Sequence, residues 1–480
     1  MTGGLANAFS QTAALRPEAR GNVWALDHRG EWIGVLLTWL LLLLMTVPDN
    51  FDYSSLNNDA APEAGSAVSR LQWLALLASP AAIIIWRKAL AWLMLRWVNV
   101  FLLAFCALAI ASVLWSDAPA VTLRRFVRVA AVMLCALSFV LMGWSARRFQ
   151  IVLLPAVTML LAGSLLFGLL RPNLAIHQET SPELLGAWRG LTNNKNSLGD
   201  CAAIGTILWL HAWLCREAPR WKACLGICIA GACLLLSRSS TSLLVTVASG
   251  ALLILLCRTP QRWRPLLPPL IVFGMVVVVA YSLVVLRLVP GLDFLLKPLT
   301  LVSGKNLTFT GRTDIWAIVV DHARQHLWLG TGYGAYWIGP LPWAPVYKLV
   351  LELQFYPGSA HSGYLEILND LGLAGLACLL GYMALFLRDA LRLLKLDHEQ
   401  GALMICLFAQ QVIANLSETH WFSVLSADFV IMTFATTSIA RQLLDQRLRQ
   451  LFGEPEIFLA PHMTEESADT PGPYAEQFSP

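Results

Sequence analysis

The chain has 480 residues, 57% hydrophobic and 13% charged, with a formal net charge of +4 and a mean hydropathy of +0.61. Soluble domains typically carry about 25% charged residues, so the composition excludes an ordinary water-soluble enzyme and indicates a polytopic membrane protein. The slight positive excess is the kind that membrane orientation produces, and no basic tract suggests a nucleic-acid partner.

A membrane-spanning helix needs about 20 mostly apolar residues. Windows of that size predict an all-α protein with about twelve spans, near 32–48, 71–86, 89–114, 126–143, 150–170, 197–214, 223–237, 241–257, 266–289, 363–387, 401–416 and 421–440. The expected organisation is a cytoplasmic segment at 1–31, transmembrane helices 1–9 over 32–289 and a large outer loop at 290–362. Transmembrane helices 10–12 over 363–440 follow, then a cytoplasmic tail at 441–480 whose Pro, Glu and Ser content predicts disorder. Lys and Arg concentrate in cytoplasmic loops. With both ends inside, the inner segments hold Arg87-Lys88, Arg147-Arg148, Arg216/Arg220/Lys222, Arg258/Arg262/Arg264, Arg388/Arg392/Lys395 and Arg441/Arg447/Arg449. The ten cysteines fall in the spans or at their inner ends, so no disulfide framework is expected outside.

Charges that topology does not require mark the places where chemistry could occur. The outer stretch "GAWRGLTNNKNSLGD" contains Arg189, Asn193, Asn194, Lys195 and Asn196. Cationic groups and amides together suit phosphate and sugar hydroxyls, although an ordinary polar loop has the same composition. In "LLSRSSTSLL", Arg238 occupies a tight outer turn. It faces an anion or the protein interior, or else it snorkels to lipid phosphate.

In the large loop, "LTFTGRTDIW" leads into an amphipathic helix with Ile315, Trp316, Val319, Val320, Ala323 and Leu327 on one face and Thr310 or Thr313 available as a cap. The N-terminus of such a helix, with Arg312 beside it, suits an anion. His322 and His326 are four apart, but "HARQH" lacks the glutamate of a zinc-protease helix, and "GTGYG" lacks the strand and the Gly-Lys of a nucleotide loop. Further on, "AHSGYLEILNDLGLAG" places His361 at the mouth of a span, with Tyr364 and Glu366 close behind. A histidine there serves as a base near neutral pH or as a structural cap.

The ordered set "WSDAP" with "TLRR", "WRGLTNNKNSLG", "SRSS", "GRTDIW", "GTGYGAYW", "HSGYLEILNDLGLAGL" and "NLSETHW" resembles the O-antigen ligase and Wzy-type polysaccharide polymerase superfamily, including ExoQ-type exopolysaccharide polymerases, across about Trp115 to Trp421. The resemblance implies a GT-C-like glycosyltransferase of the bacterial inner membrane, active on the periplasmic face. It would move glycan from undecaprenyl pyrophosphate to another glycan (polymerase, the preferred reading) or to lipid A–core (ligase), in exopolysaccharide or lipopolysaccharide biosynthesis. By motif position, Arg189, Arg238 and Arg312 would hold the pyrophosphate and His361 would act as base, with Lys195, Asn196, Tyr364 and Glu366 as substrate contacts. No metal or other cofactor is implied, since arginine charge would stabilise the leaving group. Asn194 stands where the family often has histidine, so that loop is not expected to supply a base. A lipid-linked sugar transporter is the alternative of another class, but it would place its charges near the midplane of the spans, where Arg96 is the one clear example.

Overall fold

The computed structural model describes residues 31–48, 53, 67–178, 184–285, 312–423 and 426–452. The N-terminal segment, most of the predicted first outer loop, the predicted large loop before Arg312, the predicted Thr310 and Thr313 caps and the tail beyond Phe452 lie outside the described side chains. By internal contacts the chain divides into residues 26–442 and a second unit of residues 1–25 and 443–480, of which only 443–452 are described.

Among the described residues the secondary structure is helical, and the only β-type pairing is an isolated bridge between Ile176 and Trp188. The principal helices are α1 (Glu31–Thr46), α2 (Ala67–Trp86), α3 (Lys88–Leu95), α4 (Val100–Ala111), α5 (Pro119–Leu141), α6 (Arg148–Leu170), α7 (Lys195–Leu214), α8 (Arg220–Leu236), α9 (Ser240–Arg258), α10 (Leu267–Val285), α11 (Arg312–Gln325), α12 (Tyr347–Leu353), α13 (Gly363–Leu396), α14 (His398–Ala414) and α15 (Ala427–Phe452). Four described helices are long and apolar enough to cross a bilayer: Val68–Trp86, Arg148–Leu170, Ser240–Arg258 and Gly363–Leu396. A bent pair, Lys88–Leu95 with Val100–Leu114, makes a fifth candidate. Large apolar side chains such as Leu71, Ile85, Leu169, Leu244 and Phe273 point outward. Exposed apolar surface on that scale is suited to lipid, not water. The molecule is an all-α membrane protein.

The predicted continuous span at 89–114 is instead bent by 98°. Asn99 is the physical reason. Its side chain accepts a hydrogen bond from Phe101 N at 3.1 Å, capping α4, while Nδ2 donates to Tyr382 O at 2.9 Å and ties the bend to α13. In the interior, α7 packs against α6, α8 and α9, while α14 packs against α9 and α13.

Helix α13 is buried on all sides from Gly363 to Gly372 and breaks at Gly372, where φ is 62° and ψ −157°. The break frees backbone groups, which must find other partners. The segment after α11 supplies them: Gly332 N donates to Asp370 O at 2.9 Å, Leu373 N to Leu327 O at 2.8 Å and Ala374 N to Trp328 O at 3.2 Å. The "WSDAP" stretch closes the same junction, with Asp117 N donating to Thr331 O at 2.9 Å and Trp115 Nε1 to Leu329 O at 3.1 Å. The glycine-rich sequence thus docks the segment after α11 onto a broken helix.

Helix α11 is amphipathic in the predicted register: Ile315, Trp316, Val319, Val320 and Ala323 are buried, whereas Asp314, Asp321, Arg324 and Gln325 are exposed. Its apolar face packs against α13, and Trp316 Nε1 donates to Ala360 O at 2.8 Å. Leu327 lies beyond the helix end and is 39% exposed.

Candidate active site

A cavity of about 440 Å³ opens where the ends of several helices meet, and it is lined in part by Arg125, Lys195, Asn196, Asp200, Tyr333, His361, Glu366, Asp370, Glu418, Thr419, His420 and Asp428. These residues are distant in sequence. Their convergence is set by the capping of α7, the turn before α13 and the connection from α14 to α15.

Helix α7 begins at Lys195 because Asn194 caps it, accepting a hydrogen bond from Ser197 N at 2.9 Å. The position that is often histidine in related motifs is therefore a helix cap here. The cap directs the first turn, with Lys195 and Asn196, at the cavity. The positive end of the helix dipole adds to the lysine charge there.

The turn before α13 holds His361 with a backbone φ of 48°, in the left-handed region. A non-glycine residue there typically costs about 1–2 kcal/mol, so its surroundings must enforce it. Glu366 contributes by accepting from Ala360 N at 2.9 Å. Gly363 allows the connection after α14 to approach closely: a Cβ at that position would lie 1.9 Å from Asn415 Oδ1. Gly363 N donates to Glu418 O at 2.9 Å, which sets the His361 turn beside Glu418.

Glu418 is the centre of the constellation. Its Oε1 accepts from Arg312 Nη2 at 2.7 Å and from Asn196 Nδ2 at 2.7 Å, and its Oε2 lies 3.6 Å from His361 Nδ1. Burial pushes its carboxyl pKa upward, but His361, Arg312 and His420 outweigh that effect and hold it below the usual carboxylate range. Asn415 shapes this connection, with Oδ1 accepting from His420 N at 2.9 Å and Trp421 N at 2.8 Å.

A second cluster forms the acidic side. His420 lies between two carboxylates, with Nε2 3.3 Å from Asp200 Oδ2 and Nδ1 3.6 Å from Asp428 Oδ2. The ligand-type atoms of the three residues lie within 4.8 Å of one another. Burial disfavours the His420 cation, yet Asp428, Asp200 and Glu418 prevail and raise its pKa to about 10. Because the folded value is raised, the stability it contributes is complete below the ordinary imidazole value of 6.5 and is lost as pH rises through about 10. Thermal unfolding in detergent should therefore show a Tm that falls between those limits, and His420→Gln should remove this component of the slope. An unchanged slope in the variant would reject the imidazolium bridge.

The sequence-predicted residues separate into two groups. Lys195, Asn196, His361 and Glu366 line the cavity, and Arg312 reaches it through Glu418. Arg189, Arg238 and Tyr364 are not among the lining residues. Arg189 is 1% exposed and donates from Nε to Leu174 O at 2.7 Å, while Arg238 Nη1 donates to Leu185 O at 3.0 Å. Arg189 thus ties the segment before Lys195 back to Leu174, and Arg238 binds that segment at Leu185. Tyr364, predicted as a substrate contact, is buried and donates from its hydroxyl to Val412 O at 3.0 Å. In "LLSRSSTSLL" two serines follow Arg238 on the same turn and helix start: Ser239 caps α9, and Ser242 Oγ donates to Asp200 Oδ1 at 2.8 Å.

Arg125, Asp200, Asp370, Glu418, His420 and Asp428 line the cavity as well, and none was predicted as a site residue, although all but Asp428 fall within the quoted motifs. The acid and histidine of "SETH", set between two apolar runs, were the available signal for Glu418 and His420.

The fold and this constellation define a helical membrane protein with a polar reaction-sized cavity at the ends of its helices. Residues 225–380 match the family model described as O-antigen ligase. The chain is also 29% identical, over 225 residues, to the exopolysaccharide production protein ExoQ of Rhizobium meliloti (strain 1021), a match covering 45% of this chain and 50% of that relative. It thus spans about half the length of the curated relative. These findings support its place in the O-antigen ligase and ExoQ-like superfamily. The family match includes Arg312, His361, Glu366 and Asp370, while Lys195, Glu418 and His420 lie outside it.

Proposed function

We propose that the protein is a glycosyltransferase that moves glycan from a polyprenyl diphosphate, undecaprenyl pyrophosphate in bacteria, to a saccharide acceptor, acting as a Wzy-type polymerase. The observation that carries this reading is the gathering of Arg312, Asn196 and His361 around Glu418, beside the Lys195 end of α7. An anion site adjacent to a base is what glycosyl transfer from a diphosphate requires. An apolar groove of about 310 Å³, lined by residues such as Trp39, Leu43, Met159 and Ile204, shares Thr46, Cys201 and Ala427 with the cavity wall. It suits the polyprenyl chain while the polar head occupies the cavity.

In the proposed reaction the acceptor hydroxyl oxygen bonds to the anomeric carbon as the bond from that carbon to the diphosphate oxygen breaks. The diphosphate leaves with the electron pair and the hydroxyl proton passes to His361. Arg312 and Lys195 stabilise charge on the leaving group, and Glu366 with Asp370 faces the sugar hydroxyls. The basic inner segments support an extracytoplasmic 290–362 loop, with the cavity on the periplasmic face of the inner membrane.

Glycan profiling of a deletion strain tests the reading. Accumulation of single lipid-linked units with loss of long chains is the expected result. Intact long chains missing only from lipid A–core would instead identify a ligase, the reading favoured by the family description. An unchanged glycan profile would reject both.

A further inference from the structure

We propose that Glu418 is the resting counter-ion of the anion site and a positioning residue for His361: an incoming diphosphate takes Arg312 from Glu418, and the released carboxylate turns to the imidazole. The inference rests on the diphosphate reading above and adds an order of events within the same site.

The two oxygens of Glu418 have different environments. Oε1 holds both Arg312 and Asn196 at 2.7 Å, whereas Oε2 is 3.6 Å from His361 Nδ1. That nitrogen is buried and has no hydrogen-bond partner. The contact is too long for a hydrogen bond, yet a shift of under about 1 Å would make one. The Glu418 side chain is only 8% exposed, so it cannot exchange Arg312 for bulk water.

Arg312 also begins α11, where the helix dipole adds to its charge. A diphosphate attracted there meets a guanidinium already neutralised by Glu418. Like charges cannot share that position without cost, so the carboxylate and the incoming anion compete for Arg312. Around Glu418 the remaining partners are the imidazoles of His361 and His420, and His420 is already held between Asp200 and Asp428. His361 is therefore the open partner. A carboxylate on Nδ1–H fixes the tautomer and leaves Nε2 to accept the acceptor's proton. Donor loading thereby prepares the base, and an empty site leaves it unaligned.

The exchange predicts opposite effects on binding and turnover. In full-length protein reconstituted in nanodiscs, Glu418→Gln should bind undecaprenyl diphosphate more tightly, by about threefold or more, because an anionic competitor is gone. The same variant should lose transfer by about 10²-fold, because His361 is no longer aligned. Glu418→Asp should recover part of the turnover. Diethylpyrocarbonate labelling of His361, read by mass spectrometry, should change when inorganic pyrophosphate is added to the unaltered protein, and should not change in Glu418→Gln. Weaker diphosphate binding in Glu418→Gln, unchanged turnover, or labelling indifferent to pyrophosphate in the unaltered protein would each overturn the exchange. The labelling arm decides the question even where the Gln variant does not fold. Failure of the unaltered protein to bind undecaprenyl diphosphate would reject the donor assignment itself, a result separate from binding without exchange.

Discussion

Arg312→Ala should reduce glycan transfer by about 10²–10³-fold while the protein still inserts in the membrane, the loss typical of removing one donor that stabilises a developing anion. Arg312 Nη2 lies 2.7 Å from Glu418 Oε1, so the substitution also strips a buried carboxylate of its closest cation. Breaking a buried pair from one side typically costs about 3–5 kcal/mol, and part of the effect will appear as lower stability. The double variant Arg312→Ala/Glu418→Gln separates the two contributions: stability should return, and transfer should not. Lys at 312 should restore only a fraction, because an ammonium lacks the planar two-point fork of guanidinium. Transfer at the unaltered level in Arg312→Ala would remove this residue from the diphosphate site.

The other large effect belongs to His361. His361→Ala should lower turnover by about 10²–10⁴-fold, the usual contribution of a positioned base, while binding of undecaprenyl diphosphate remains close to normal. The separation of binding from turnover is the informative readout, since a misfolded cavity would lose both. His322→Ala combined with His326→Ala should be mild. His322 Nδ1 is 2.8 Å from Asn369 Oδ1, the two imidazoles are tilted by 41° with centroids 5.4 Å apart, and neither residue is among those lining the cavity. Loss of transfer in that pair, with His361→Ala active, would move the chemistry to α11.

Helical content, membrane character and the apolar face of α11 were legible because each rests on local periodicity or composition. Lys195, Asn196, His361 and Glu366 were legible as candidates because polar residues at the mouths of apolar helices have few structural reasons to be there. The bend at Asn99 was not, since it depends on a hydrogen bond to Tyr382 O, nearly three hundred positions away in the chain. The same limit applies to the arginines. Arg189, Arg238 and Arg312 look equivalent in sequence as lone cations in outer segments, but the first two bond to nearby backbone carbonyls while the third meets a carboxylate from between α14 and α15. Glu418 itself needs three partners from three separate segments before its position has a meaning, and no spacing rule encodes that.

The broken helix at Gly372 bears on how the protein can be re-engineered. Backbone hydrogen bonds cross between Leu327–Gly332 and Asp370–Ala374 in both directions, so the two stretches behave as one clasp written in two places. The carbonyl of Asp370 is held by the clasp, and its side chain forms part of the cavity wall and accepts from Gly334 N at 2.7 Å. A chimera that borrows the segment after α11 from a relative, without the matching stretch of α13, would open that clasp and displace a wall of the cavity. Modular exchange, the usual way to retarget substrate choice, therefore has to carry both halves together.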